Sequence, residues 1–220
     1  MNPIRVYVAL QQFGKHDERP RRLLEETGYD VRYNTLGRRL QRDELAVHLR
    51  ETDAVLAGVE PYDATLLGSL PRLRCISRCG VGTDAIDLDA AKQHRIAVYT
   101  TVEEVVEPTA QLTIAMILAL ARNFPQHLAD FHGGAWNKHT GALLSEWTVG
   151  LIGFGRIGCA VASLLAVFSP RIVVTDPAVS AEALPRHVAW RPLSQLLAEA
   201  DVVSLHANSP RRLGPLLGRE

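Results

Sequence analysis

The sequence predicts an α/β protein built from two parallel-sheet units, and three observations carry that prediction. Short apolar runs alternate with helix-like stretches through the first hundred residues, one long apolar helix interrupts them at mid-chain, and a strand, a glycine turn and a further helix then follow in order. Parallel neighbours cannot be joined by a tight hairpin, so each connection must cross over, and a helix is the usual crossover.

Runs rich in branched residues at 4–10, 54–58, 75–77 and 96–99, with a weaker one at 31–33, read as strands. Residues 18–27 read as a helix, with Pro20 suited to its first turn and Gly28 at the position that favours a left-handed residue. Residues 42–52 carry apolar side chains at three- and four-residue spacing and form a second helix. From 107 to 124 the pattern becomes one strongly apolar helix, opened by Pro108 and ended near Pro125. A boundary between two domains, 1–105 and 106–220, is placed at its start. Residues 131–146, rich in glycine, histidine and polar side chains, read as a connection running over the surface. Strands return at 149–153, 171–175 and 201–206, with a short candidate at 187–190.

Composition excludes several function classes. Of the 220 residues, 47% are hydrophobic and 22% charged, enough apolar content for one large core or two modest ones. Lysine plus arginine balance aspartate plus glutamate at 24 each, so no long-range field draws in nucleic acid or an anionic membrane. Residues 1–10 lack the basic start and long apolar core of a signal peptide and read as a first strand. The longest apolar run, 112–121, falls short of the ~20 residues needed to cross a bilayer. Cys75, Cys79 and Cys159 form an odd set without zinc-site spacing, and are expected to be small buried side chains in a reducing, cytoplasmic setting. His127, His132 and His139 match no metal triad and are expected to be solvated.

The most informative stretch runs from Val149 through Gly153-Phe154-Gly155-Arg156-Ile157-Gly158, then a helical pattern, a strand at 171–175 and Asp176. Glycines at this spacing are weak evidence alone, but here they lie between a strand and a helix, with an acid at the right distance. Gly153 permits the tight turn out of the strand, Gly155 lets backbone approach a pyrophosphate, and Gly158 lets the helix pack on the sheet. Free amides at the helix start receive the negative charge. Asp176 accepts hydrogen bonds from ribose hydroxyls and repels the additional phosphate of NADP, so NAD is the expected cofactor. Pro177, Ala178 and Val179 supply no arginine to reverse that choice.

With this site placed, Arg78-Cys79-Gly80-Val81-Gly82-Thr83-Asp84 and Gly134-Ala135-Trp136-Asn137-Lys138 resemble segments of the NAD-dependent D-2-hydroxyacid dehydrogenases, in particular the phosphoglycerate dehydrogenase branch. The resemblance implies a flavodoxin-like parallel-sheet substrate domain followed by an incomplete Rossmann-type NAD-binding domain. It implies that Gly80, Val81 and Gly82 hold the carboxylate of a small 2-hydroxy or 2-keto acid through backbone amides, with Val81 also touching the nicotinamide end. Arg156 and Ile157 match the family's pyrophosphate-contacting pair, Asp176 its ribose acid, and Ala207 a backbone contact after the last strand. A homodimer is implied through the long helix, although a purely internal core helix fits its pattern equally.

Several positions depart from the family. Gln111 stands in place of a glutamate, Ala85 in place of a common asparagine, residues 102–105 replace a loop of proline, glycine and asparagine, and 208–214 has lost a proline-leucine-threonine sequence. The arginine, glutamate and histidine that the resemblance assigns to catalysis would lie after Glu220, so the segment is expected to bind without turning over. No catalytic residue is assigned within it. His206 matches a family position other than the acid–base residue. The competing reading is a non-catalytic NAD-binding or interaction module.

Overall fold

A computed structural model describes residues 3–207 and 216–218, so the departure at 208–214 lies outside the described residues. The chain divides into two compact units, 1–102 and 103–220. The division precedes the 105/106 boundary expected from the sequence because Glu103 joins the second unit, where its carbonyl accepts from the Val106 amide at 3.2 Å and its carboxylate meets Arg156.

In the first unit, β1 (Arg5–Val8), β2 (Asp30–Tyr33), β3 (Ala54–Ala57), β4 (Cys75–Arg78) and β5 (Ala97–Thr100) form one sheet in the order β2-β1-β3-β4-β5, every pair parallel. This is the flavodoxin-like order, with its topological switch point between β1 and β3. The crossovers are α1 (Arg19–Glu26), α2 (Arg42–Leu49), α3 (Ala64–Gly68) and α4 (Leu88–Gln93). Capping fixes where the short helices begin: Asp63 accepts from the Leu66 amide at 2.7 Å and Asp87 from Ala90 at 2.9 Å. Tyr7, Leu45, Leu49, Val55, Leu66, Leu67 and Ile76 build the core.

The second unit opens with α5 (Val106–Ala121) and α6 (Phe124–His132), then β6 (Thr148–Ile152), α7 (Arg156–Leu165), β7 (Arg171–Thr175), β8 (Val188–Trp190), α8 (Leu193–Glu199) and β9 (Val202–Leu205). The strands are parallel in the order β8-β7-β6-β9, the order of the first four strands of a dinucleotide-binding sheet. One face packs Val149, Leu151, Ile172 and Val174 with α5 and α7. The other packs Ile152 and Val173 with Leu196 of α8.

Three expectations need correction. The helix expected over 107–124 ends at Ala121, where Asn123 takes a left-handed conformation (φ 51°), and α6 begins with Pro125 in its first turn. Proline there starts a helix because its missing N–H has no intrahelical partner to lose, so part of the expected surface connection is helical. Cys79 and Cys159 are exposed and Cys75 is partly exposed, because Cys75 opens β4, Cys79 lies just past its end, and Cys159 is not among the core-facing residues of α7, which are Gly158, Val161, Ala162 and Leu165. His139 is not freely solvated: its Nε2 pairs with Asp130 Oδ2 at 2.7 Å, and its carbonyl contacts His127 Nε2 at 3.2 Å, which braces the Trp136 loop against α6.

Candidate functional site

Three glycines shape the turn after β6, each for a different reason. Gly153 has φ +93°, and a Cβ there would lie 2.7 Å from the Ala207 amide nitrogen and the His206 carbonyl carbon. The turn is thus pressed against the peptide that follows β9, where the His206 amide donates to Ile152 O at 2.7 Å. Gly158 is buried, and a Cβ there would run into the carbonyl oxygen of Gly153. At Gly155 nothing lies within 4 Å of the Cβ position. The protein's own packing does not demand glycine at 155, and the space beside it is open to a group from outside.

Gly155 is also the N-cap of α7, and the first helical bond runs from the Cys159 amide to its carbonyl at 2.9 Å. The amides of Arg156, Ile157 and Gly158 donate to no protein acceptor among the described residues. They sit at the positive end of a ten-residue helix, an arrangement suited to an anion. The Ile157 side chain packs against the core, and the Arg156 Nε pairs with Glu103 Oε1 at 2.9 Å.

Asp176 follows β7, and both carboxylate oxygens are fixed by backbone: Oδ2 accepts from the Phe154 amide at 2.7 Å and Oδ1 from Ala178 at 2.8 Å. Each oxygen keeps a further lone pair for a hydroxyl. Cys159, exposed as a residue, holds its Sγ in a partly buried contact 3.3 Å from Phe154 O, where partial desolvation of the thiol, and secondarily Asp176, pushes it above its ordinary value. His206 is drawn below its ordinary value by burial, and its Nε2 lies 2.9 Å from Ser204 Oγ. It is therefore neutral at neutral pH and adds no charge beside the turn.

The glycine loop of the first unit is built otherwise. Gly80 has φ +134°, but its amide donates to Thr101 Oγ1 at 2.7 Å. In the structure that amide is engaged within the protein. The amides of Val81 and Gly82 have no protein acceptor among the described residues. Arg78 curls over its own loop, donating to Gly82 O at 3.2 Å and to Cys79 O. Among the described residues no three His, Cys, Asp or Glu side chains gather to hold a metal, and no helix is long and apolar enough to cross a membrane.

A model of the D-isomer specific 2-hydroxyacid dehydrogenase NAD binding domain matches residues 114–219, the segment that carries this turn. The chain belongs to the D-isomer specific 2-hydroxyacid dehydrogenase family. It is 33% identical over 183 residues to a D-3-phosphoglycerate dehydrogenase of Mycobacterium bovis, covering 81% of this chain and 35% of the relative. It is 33% identical over 184 residues to a hydroxypyruvate reductase of Thermotoga maritima, covering 82% and 60%. A crystal structure of a Thermus thermophilus protein superposes with a TM-score of 0.80 at 31% identity, covering 95% of this chain and 66% of that one. The chain thus spans about a third of the mycobacterial enzyme's length.

NAD, the cofactor of the matched domain, suits what the second unit presents: an unobstructed position at Gly155, unpaired amides at a helix tip and a rigid carboxylate one strand away. Sequence reasoning missed Phe154, Thr101 and Glu103. Phe154 and Thr101 act through contacts 22 and 21 residues apart, and no local pattern announces such partners.

Proposed function

We propose that the turn at 153–158 holds the diphosphate of NAD on the amides of Arg156, Ile157 and Gly158, with Gly153 and Gly155 keeping the approach clear. In this reading Asp176 grips the adenosine ribose and Ala207 supplies a backbone contact. The carrying observation is the contrast within the turn: backbone crowds the Cβ positions of Gly153 and Gly158, whereas that of Gly155 is empty. A ligand that must come close explains glycine where the protein itself needs none.

The chain contributes these segments to a 2-hydroxyacid dehydrogenase. Hydride leaves the CH–OH carbon of a small, phosphoglycerate-like 2-hydroxy acid for NAD, the hydroxyl proton is released, and a 2-keto acid and NADH result. Residues 1–105 form the substrate-binding part, where the Val81 and Gly82 amides meet the carboxylate, Gly80 shapes the loop and Val81 touches the nicotinamide. Residues 106–220 form the NAD-binding part. Three free thiols support a cytoplasmic location. A homodimer is supported by Leu112, Met116 and Leu120, one exposed apolar stripe on α5, and by Trp136, 91% exposed, because a surface this apolar is seldom left bare on a monomer.

Titrating the chain with NADH and NADPH tests the cofactor reading, with tight, NADH-selective binding expected. Unchanged affinity after Gly155→Leu would sink it. Assaying the chain with D-lactate, D-glycerate and 3-phosphoglycerate tests turnover separately from binding.

A further inference from the structure

We propose that Glu103 sets how strongly the turn holds a diphosphate, by competing for the guanidinium of Arg156. The inference rests on the cofactor reading above and concerns two residues that reading leaves unexplained together. Between Gly150 and Ala160 the sequence carries a single charged side chain, Arg156, and it is the first residue of α7. A cation at that position complements an anion seated on the neighbouring amides, adding a screened Coulomb attraction to the helix-tip amides.

In the structure that cation is already engaged. Its Nε lies 2.9 Å from Glu103 Oε1, so the pair has no net charge and a carboxylate stands beside the helix tip. A second anion arriving at the amides meets an arginine whose charge is already taken up. The engagement is nonetheless easily broken: the two side chains are 66% and 73% exposed, and ion pairs in such surroundings contribute little. Glu103 therefore lowers affinity without closing the site. Arg156 can turn to a diphosphate once the acid is displaced, and the acid, exposed to water, loses little on release.

The test is a double-mutant cycle on the full chain, with NADH affinity read by fluorescence titration or calorimetry for the parent, Glu103→Gln, Arg156→Gln and the double variant. Glu103→Gln is expected to tighten binding by ~3- to 5-fold, the upper scale of a solvent-exposed pair, and the gain should shrink as salt is raised. Arg156→Gln should weaken binding, and adding Glu103→Gln to it should change affinity less than about 2-fold, because the acid then has no arginine to withhold. Equal or weaker binding by Glu103→Gln overturns the proposal. So does a full gain in the Arg156→Gln background, which would make the acid a direct repeller. Loss of NADH binding in all four proteins, each with an intact cooperative melt, would overturn the cofactor reading and this inference with it, and is distinguishable from either result.

Discussion

Two glycine loops follow strands of this chain, one in each unit, and they use the residue differently. At 153–158 two glycines are imposed by backbone that would collide with any Cβ, while the third faces open space. At 80–82 the backbone of Gly80 is left-handed, yet its hypothetical Cβ meets only the movable end of Arg78, and its amide is tied to Thr101. The first loop is a rigid frame around an opening. The second is a strand exit held by side chains, with fewer free amides than its glycine count implies. Glycine spacing alone therefore does not measure how much of a loop is available to a ligand.

That contrast breaks most sharply on Gly158→Ala against Gly155→Ala. The first is expected to cost ~2–3 kcal/mol in denaturant unfolding, since the added methyl meets a backbone carbonyl. The second should cost under about 1 kcal/mol, as alanine is only a poorer cap, while NADH affinity falls at least ~10-fold through obstruction of the diphosphate. Asp176→Ala strands the Phe154 and Ala178 amides, so a loss of ~1–3 kcal/mol should accompany a collapse of the preference for NADH over NADPH. Thr101→Val removes the acceptor of the Gly80 amide and should cost ~1 kcal/mol by the same unfolding measurement, with a much smaller effect on NADH affinity than Gly155→Ala. The smallest effect is a pH slope from His206. Burial lowers its folded value below that of the unfolded chain, so the unfolded state binds the proton first. Stability present above the ordinary imidazole value is then lost as pH falls through it and through the lower folded value. His206→Gln should flatten the corresponding part of a melting-temperature profile between about pH 7 and 5.

The dinucleotide turn is legible in the sequence because its chemistry is local: a strand, three glycines, a helix start and an acid lie within 28 residues, from Val149 to Asp176. The short run at 187–190 is readable as a strand candidate, and β8 lies there. Local reasoning fails where the decisive contact is remote. The end of α5 is legible to within a few residues from Pro125, but the helix that follows is not, because a proline reads equally as a stop and as a first-turn residue, and the left-handed backbone at Asn123 and the turn into α6 decide between them. The Asp130–His139 brace is hidden because surface histidines carry no periodic signal.

Alternation of strand and helix, together with the glycine and acid spacing, determined by sequence alone an α/β chain with a dinucleotide turn, because those features depend on residues adjacent in the chain. Only the tertiary structure decided that the Gly80 amide is tied to Thr101, that Asp176 is clamped by Phe154, and that Arg156 is held by Glu103. Hydrogen bonds and ion pairs depend on which groups the fold brings within about 3 Å, and for partners 21 to 53 residues apart that is fixed by packing rather than by order along the chain.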